Sequence, residues 1–261
     1  MLSRQLADQT RRRLDSARRI LVLTGAGISA ESGVPTFRGA GGLWGRYRPE
    51  EIATPEAFAR DPRLVWQWYA SRRDQTLACA PNAAHLAIAR WMASRAGVTL
   101  VTQNVDGLHE RASMIVEPDR SRACAPIRLH GSLFRVRCTG CGVEDDHLEP
   151  ITVGAEGALP SCQRCGATLR PAVVWFGELL PMDAMRRALE AARTAEACLV
   201  VGTAGAVYPA AGLAFEARAR GATLIVVDPG ETAFDDDADI RIRAAAAAAV
   251  PLVCIPADPP E

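Results

Sequence analysis

Short apolar runs alternate along the chain with longer segments in which apolar residues recur at helical spacing. The runs that predict buried strands are residues 20–24, 98–102, 197–201, 224–227 and 251–255. Helices are predicted at 82–95, 182–194 and 208–220, and near the amino terminus, where Leu2, Leu6 and Leu14 share one face. This alternation is typical of an α/β fold with a doubly wound parallel sheet.

Two regions interrupt the alternation and predict a smaller second domain. Residues 39–81 contain helical pieces rich in Trp and Arg, whereas residues 135–170 are polar, rich in Gly and contain paired cysteines. We therefore expect a helical module at 39–81 and a metal-binding module at 135–170. The larger domain would then consist of residues 1–38, 82–134 and 171–261.

Composition narrows the function classes. The 261 residues contain 30 basic and 30 acidic side chains, and the zero net charge argues against an electrostatic nucleic-acid binder. All the basic residues are arginine. No apolar run is long enough to cross a bilayer, and the Arg-rich amino terminus lacks the apolar core of a signal peptide. We expect a monomeric cytoplasmic protein that does not bind membranes.

Four of the eight cysteines form two Cys-x-x-Cys pairs separated by twenty residues. Thiolates from two such pairs can complete a tetrahedral Zn²⁺ shell with no open position, which suits a structural metal. Unrelated surface cysteines would not be expected to show both spacings. We predict one structural Zn²⁺ per chain, bound by Cys138, Cys141, Cys162 and Cys165.

A glycine-rich turn follows the first predicted strand. In Gly25-x-Gly27-x-x-Ala30, the first glycine would allow a tight turn and the second would let a phosphate approach. The small third residue would let a helix pack on the sheet. This pattern predicts a dinucleotide site in a Rossmann-like domain, although a plain tight turn has the same signature.

Polar residues follow other predicted strands, at the edge where doubly wound sheets bind ligands. Gln103, Asn104 and Asp106 come after residues 98–102, and His130 follows a short apolar run. A polar turn is the alternative interpretation of the first group, and a structural role is the alternative for a lone His before Gly. An imidazole with a pKa near 6.5 can nevertheless accept a proton at neutral pH.

Together these segments resemble the sirtuins, the NAD-dependent protein lysine deacylases. The resemblance extends from about residue 20 to 251 and rests on residues 26–38, 102–106, 129–131, 173–178 and 202–209, in the order of the family's motifs. It implies that NAD is a co-substrate, that His130 is the general base, and that Asn104 orders water and ribose. It also implies that the acyl-lysine protein substrate binds as an extended peptide along 173–178.

The resemblance further implies which residues contact NAD. They are Gly25, Ala26, Gly27, Ser29, Ala30, Glu31, Thr36, Phe37, Arg38, Trp44, Gln103, Asn104, Val105, Asp106, Gly202, Thr203, Ala204, Asp228 and Ala246. Three features depart from the family pattern: Ala204 stands where Ser is usual, Asp228 where Asn is frequent, and alanines at 244–249 replace a Gly-Pro-Ala-Gly-like turn.

A second group of residues bears on the substrate. The resemblance implies that Val174, Phe176, Gly177 and Glu178 line the acyl-lysine tunnel. Tyr69 and Arg72, three apart on a predicted helix, match the Tyr-x-x-Arg of class III sirtuins, and Ala53 matches the small residue that widens their pocket.

The physical chemistry of these side chains predicts the acyl preference. A guanidinium and a phenol can hold a distal carboxylate, whereas an acetyl group leaves both donors unpaired. We therefore expect removal of succinyl and malonyl groups, and more weakly of acetyl, with release of nicotinamide and 2′-O-acyl-ADP-ribose.

Four alternatives remain open from the sequence. One is an acetyl-preferring sirtuin deacetylase, and another is an NAD-dependent protein ADP-ribosyltransferase, which would share the first chemical step. A third is an NAD-dependent dehydrogenase, which would need an acidic residue about twenty positions after the glycine turn at the end of a second strand. The fourth is a binding module that senses NAD without catalysis.

Overall fold

A computed structural model describes residues 2–36, 48–120, 125–153 and 158–254 of the protein. Phe37, Arg38 and Trp44, which the sequence predicts at the cofactor site, lie outside the described residues. No helix within these four ranges is long and apolar enough to cross a membrane.

The larger of two sheets has six strands in the order β3-β2-β1-β7-β8-β9, and every neighbouring pair is parallel. Its strands are β1 Ile20–Thr24, β2 Val98–Thr102, β3 Ile127–Arg128, β7 Ala197–Val201, β8 Thr223–Val227 and β9 Ile240–Ile242. The four longer strands agree with the sequence prediction, whereas β3 and β9 are too short to stand out as apolar runs. The Rossmann-like fold class is confirmed.

Helices cover both faces of this sheet. Alternate strand residues such as Val22 and Leu199 pack with α1, α5 and α9, and the intervening residues such as Leu23 and Val200 pack with α7 and α8. The helices are α1 Arg4–Ser16, α2 Pro49–Ile52, α3 Pro55–Arg60, α4 Pro62–Leu77, α5 Ala83–Ser94, α6 Leu108–Val116, α7 Met182–Thr194, α8 Gly212–Ala219 and α9 Ala246–Cys254. Because both faces are covered, the strands are apolar throughout.

The strand predicted at 251–255 is wrong. The described residues of that run belong to helix α9, Ala246–Cys254. Alanine has the highest helix propensity, so the alanines before Pro251 start a helix that continues through the apolar run. Its residues Ala249, Val250 and Val253 are buried against the sheet. Helix α8 also begins later than predicted, at Gly212.

The smaller sheet is antiparallel, in the order β5-β4-β6, and comprises β4 Gly131–Cys138, β5 Glu144–Asp146 and β6 Leu169–Val173. Residues of α2, α3 and α4 form an apolar core with it, centred on Trp66, Leu133 and Trp175. The domain boundaries expected at 134/135 and 170/171 fall inside β4 and β6, and the division into domains remains a prediction.

Four cysteines converge at the end of the smaller sheet. The sulfurs of Cys138, Cys141, Cys162 and Cys165 all lie within 4.8 Å of one another. Tetrahedral zinc with bonds of about 2.3 Å needs sulfurs about 3.8 Å apart, and the distances from Cys138 to Cys165 and from Cys141 to Cys162 are 3.4 and 3.8 Å. The N–H groups of Gly140 and Cys141 also donate to Cys138 Sγ, which favours a thiolate. The residues therefore fit a structural Zn²⁺.

Removing one cysteine should remove metal and stability together. We expect Cys141→Ser to bind less than one Zn²⁺ per chain and to lose about 10 °C or more of thermal midpoint, because zinc binding contributes several kcal/mol to folding. Metal analysis and calorimetry would measure both quantities. Cys79→Ser, outside the cluster, is the matched control and should retain both. Unchanged zinc and midpoint in Cys141→Ser would contradict a structural metal.

Candidate functional site

The carboxyl ends of five parallel strands form a row of functional residues. His130 follows β3, Gln103 follows β2, Gly25 follows β1, Gly202 follows β7 and Asp228 follows β8. The chain builds outward from β1 first through β2 and β3, and then in the other direction through β7, β8 and β9. Doubly wound sheets bind ligands at this reversal, which lies between β1 and β7.

A cavity of about 660 Å³ extends along this row and reaches the helices and the smaller sheet. The predicted site residues that line it are Gly25, Ala26, Gly27, Ala30, Glu31, Thr36, Ala53, Tyr69, Arg72, Gln103, Asn104, Val105, His130, Val174, Phe176, Gly177, Glu178, Gly202, Thr203, Ala204, Asp228 and Ala246. Residues predicted for NAD and residues predicted for the acyl group therefore face one continuous space.

The two glycine-rich loops contact each other closely. Gly25 N–H donates to Val201 O at 3.1 Å, and Gly27 N–H donates to Gly202 O at 2.8 Å. A Cβ on Gly27 would lie 2.7 Å from Gly202 Cα. The sequence argument assigned the second glycine to phosphate approach, but here it admits the β7 loop. The turn also continues as a short 3-10 helix, Ala26–Ser32.

His130 is held in one tautomer. Its Nδ1 lies 3.0 Å from the carbonyl oxygen of Gln103, which can only accept, so Nδ1 carries the proton and Nε2 is left as the basic nitrogen. Burial lowers the pKa of His130, and the bond to Gln103 offsets part of this effect. The imidazole is therefore neutral at pH 7 and able to accept a proton.

Ser29 and Asp106 are not among the residues that line the cavity but support Asn104 from behind. Asn104 Nδ2 donates to Ser29 Oγ at 3.2 Å, and Ser29 Oγ donates to Asp106 Oδ2 at 2.8 Å. His85 Nε2 lies 3.3 Å from the same Oγ, while its Nδ1 accepts from Asn82 N–H. Ser29 Oγ thus accepts two bonds and donates one, which satisfies the hydroxyl.

Burial sets the charge states of this cluster. It lowers the pKa of His85 to about 4, which keeps the ring neutral, and it raises the pKa of Asp106 against the bonds from Leu108 N–H and Ser29. Sequence reasoning did not assign His85 to the site. Its setting in Asn82-x-x-His85 resembles an ordinary helix start, where the His side chain closes a capping box.

Helix α4 contributes further side chains to the lining of the cavity. Tyr69 and Arg72 are 5% and 6% exposed, and the Arg72 guanidinium lies 4.9 Å from the centre of the Trp68 ring. Burial raises the pKa of Tyr69 to about 12, so its hydroxyl keeps its proton at neutral pH. The same burial lowers the pKa of Arg72 from a very high starting value.

Residues 173–178 form the facing wall, but not as a continuous strand. Strand β6 ends at Val173, after which Val174 N–H donates to His130 O at 2.9 Å and Phe176 N–H donates to Ala53 O at 3.0 Å. These two bonds therefore occupy part of the backbone along which the acyl-lysine peptide is expected to bind. Three further residues line the cavity without having been predicted as site residues: Trp68, Trp175 and Tyr208. Trp68 precedes Tyr69, and the other two lie within the motifs at 173–178 and 202–209.

Known proteins share this sequence and this geometry. A family model described as the Sir2 family matches residues 25–209. An NAD-dependent protein deacylase of Ralstonia nicotianae is 50% identical over 251 residues, covering 95% of this chain and 94% of the relative.

Two solved structures extend the similarity to three dimensions. A complex of a Sir2 homologue variant with ADP-ribose is 41% identical, with a TM-score of 0.87, and covers 95% of this chain and 94% of that one. A Sir2 variant with a deacetylated p53 peptide and 3′-O-acetyl ADP-ribose is 30% identical, with a TM-score of 0.83 and coverages of 94% and 96%. The chain belongs to the Sir2 family.

Proposed function

We propose that this NAD-dependent protein deacylase removes succinyl and malonyl groups from protein lysines, and acetyl groups more weakly. The observation that carries the proposal is the burial of Tyr69 and Arg72 in the same cavity that His130 lines. The relative from Ralstonia nicotianae is named an NAD-dependent protein deacylase, which supports the reaction class.

The acyl preference follows from the charge-assisted hydrogen bonds that a carboxylate can form with the buried side chains of Arg72 and Tyr69. A carboxylate at the end of the acyl chain can accept a bidentate pair of bonds from Arg72 and a further bond from Tyr69. An acetyl group has no carboxylate, so its binding would gain none of these charge-assisted hydrogen bonds. The small side chain of Ala53 faces the same space and leaves room for the longer acyl chain.

The row of strand ends supports one orientation of NAD in the cavity. His130 and Asp228 follow strands that are four sheet spacings apart, about 19 Å. We assign the nicotinamide ribose to the His130 end, next to the acyl pocket, and the adenosine to the Asp228 end. Thr203 Oγ1 accepts from Gln103 Nε2 and Gly205 N–H, which leaves its own proton to donate to a phosphate or ribose oxygen.

The residues of the chain then have distinct tasks in the transfer. His130 Nε2 takes a proton from a ribose hydroxyl, whose oxygen attacks the acyl carbon, while Asn104 holds the ribose and water. Before this step the acyl oxygen of the substrate lysine replaces nicotinamide at C1′ of the ribose, which releases nicotinamide. Water then adds to the acyl carbon as its bond to the lysine nitrogen breaks, so that free lysine and 2′-O-acyl-ADP-ribose are released and the original acyl oxygen stays on C1′. Ser29 and Asp106 keep Asn104 in place through the hydrogen bonds described above.

Replacing the base should slow turnover without unfolding the protein. We expect His130→Ala to lower the deacylation rate about a hundredfold or more, the usual effect of losing a positioned base. Because burial lowers the pKa of His130, wild-type kcat/KM should be retained down to pH 6.5 and fall only as the pH drops below it. His147→Ala, outside the cavity, is the control. Near-normal turnover by folded His130→Ala would exclude this role.

The acyl preference can be tested with one peptide carrying succinyl-, malonyl- or acetyl-lysine. We expect Arg72→Met to lose desuccinylation about 10- to 100-fold, because the charge-assisted hydrogen bonds are worth about 1.5–3 kcal/mol. Acetyl cleavage should persist or rise. Mass spectrometry would measure the products, and Arg90→Met, an exposed arginine on α5, is the matched control. A wild-type enzyme that cleaves acetyl-lysine better would favour a deacetylase, and label on protein would favour ADP-ribosyl transfer.

A further inference from the structure

We propose that Trp175 is a specificity-positioning residue: its indole N–H fixes the direction of the Tyr69 hydroxyl so that the phenol proton is available to an acyl carboxylate. The inference rests on the acyl preference proposed above. Trp175 is 106 positions from Tyr69 in the sequence, and one hydrogen bond joins the two side chains in the apolar core of the smaller sheet.

The direction of this hydrogen bond is unambiguous. Trp175 Nε1 lies 2.9 Å from Tyr69 Oη, and an indole nitrogen can only donate, so the phenol oxygen must accept. Among the described residues, Trp175 is the hydrogen-bond partner of the Tyr69 hydroxyl. Because burial keeps the phenol protonated, its own O–H remains to be donated to another group.

The remaining proton matters only for a ligand that can accept it. Tyr69 lines the cavity beside Arg72, three residues later on α4. A hydroxyl that already accepts a hydrogen bond becomes a stronger donor in a low-dielectric site. If a carbonyl stood in place of the indole, the phenol would donate its proton to that carbonyl. Tyr69 would then present only the lone pairs of its oxygen to an acyl carboxylate, which cannot donate to them.

Trp175 is itself held firmly in place. The Arg170 guanidinium lies 3.5 Å from the centre of the indole ring and forms a bidentate pair with Glu178, at 2.6 and 2.9 Å. Glu178 Oε2 also accepts from Trp175 N–H at 2.8 Å, and the Phe58 ring lies 5.4 Å from the indole. These contacts restrict the ring and hence the position of Nε1–H.

The test compares acyl groups in a double-mutant cycle. With succinyl- and acetyl-lysine versions of one peptide at saturating NAD, we expect Trp175→Phe to lower kcat/KM for the succinyl peptide about tenfold, mainly through KM. The acetyl value should fall less, so that the ratio of the succinyl to the acetyl value drops. In a Tyr69→Phe background, Trp175→Phe should have no further effect on succinyl selectivity, because the hydroxyl on which it acts is gone.

Two further variants separate hydrogen bonding from packing. Site-specific replacement of Trp175 by benzothienylalanine keeps the ring shape and removes the N–H, so it should reproduce the selectivity loss even if Trp175→Phe folds poorly. Trp66→Phe is the matched control: Trp66 belongs to the same core, but its indole donates to Leu169 O and it is absent from the cavity lining. Its effect on the two peptides should be equal.

The outcomes distinguish this inference from the proposed acyl preference. A wild-type enzyme without succinyl preference would overturn both. A wild-type enzyme that prefers succinyl, combined with equal losses on both peptides in the Trp175 variants, would overturn only the role of Trp175. The same holds if the effects of Tyr69→Phe and Trp175→Phe on selectivity simply add.

Discussion

The close contact between the loops after β1 and β7 is the constraint on which the site depends. A Cβ on Gly202 would lie 2.2 Å from Ile28 N, and one on Gly25 would lie 2.6 Å from Thr203 Cβ. Only glycines let the two backbones approach to hydrogen-bonding distance at the centre of the sheet. This contact brings Thr203 next to Gln103, whose carbonyl in turn orients His130. The positions of Thr203, Gln103 and His130 therefore follow from backbone packing.

The part of the cavity proposed for the acyl group depends on a second contact, between helix α4 and the smaller sheet. The buried guanidinium of Arg73 donates to the backbone carbonyls of Leu133, His147 and Glu149. It thereby fixes the helix that contains Tyr69 and Arg72 against β4 and the chain after β5. The four cysteines hold the far end of the same sheet. A structural zinc at this end of the sheet would thus stabilise the pocket proposed for the acyl group without taking part in the reaction.

Burial also sets the charge states of the polar side chains in and behind the cavity. The neutral His85 and the hydrogen-bonded Ser29 lie behind Asn104, where an unpaired polar group would be costly. On helix α4, Arg72 lies over Trp68 and the hydroxyl of Tyr69 keeps its proton. In the proposed function, the first cluster keeps Asn104 in position and the second selects for a negative acyl group.

The sequence by itself determined the features that depend on local spacing. Continuous apolar runs predicted β1, β2, β7 and β8, the two Cys-x-x-Cys pairs predicted the four-cysteine cluster, and the motifs identified most of the cavity lining. The tertiary structure alone decided what depends on contacts between distant segments. It made 251–254 part of a helix because the preceding alanines and the sheet face favour one, and it assigned Gly27 to the β7 loop. It also joined Trp175 to Tyr69 and His85 to Ser29. A hydrogen bond has a direction and a partner only when two side chains meet, and no periodicity along the chain records that meeting.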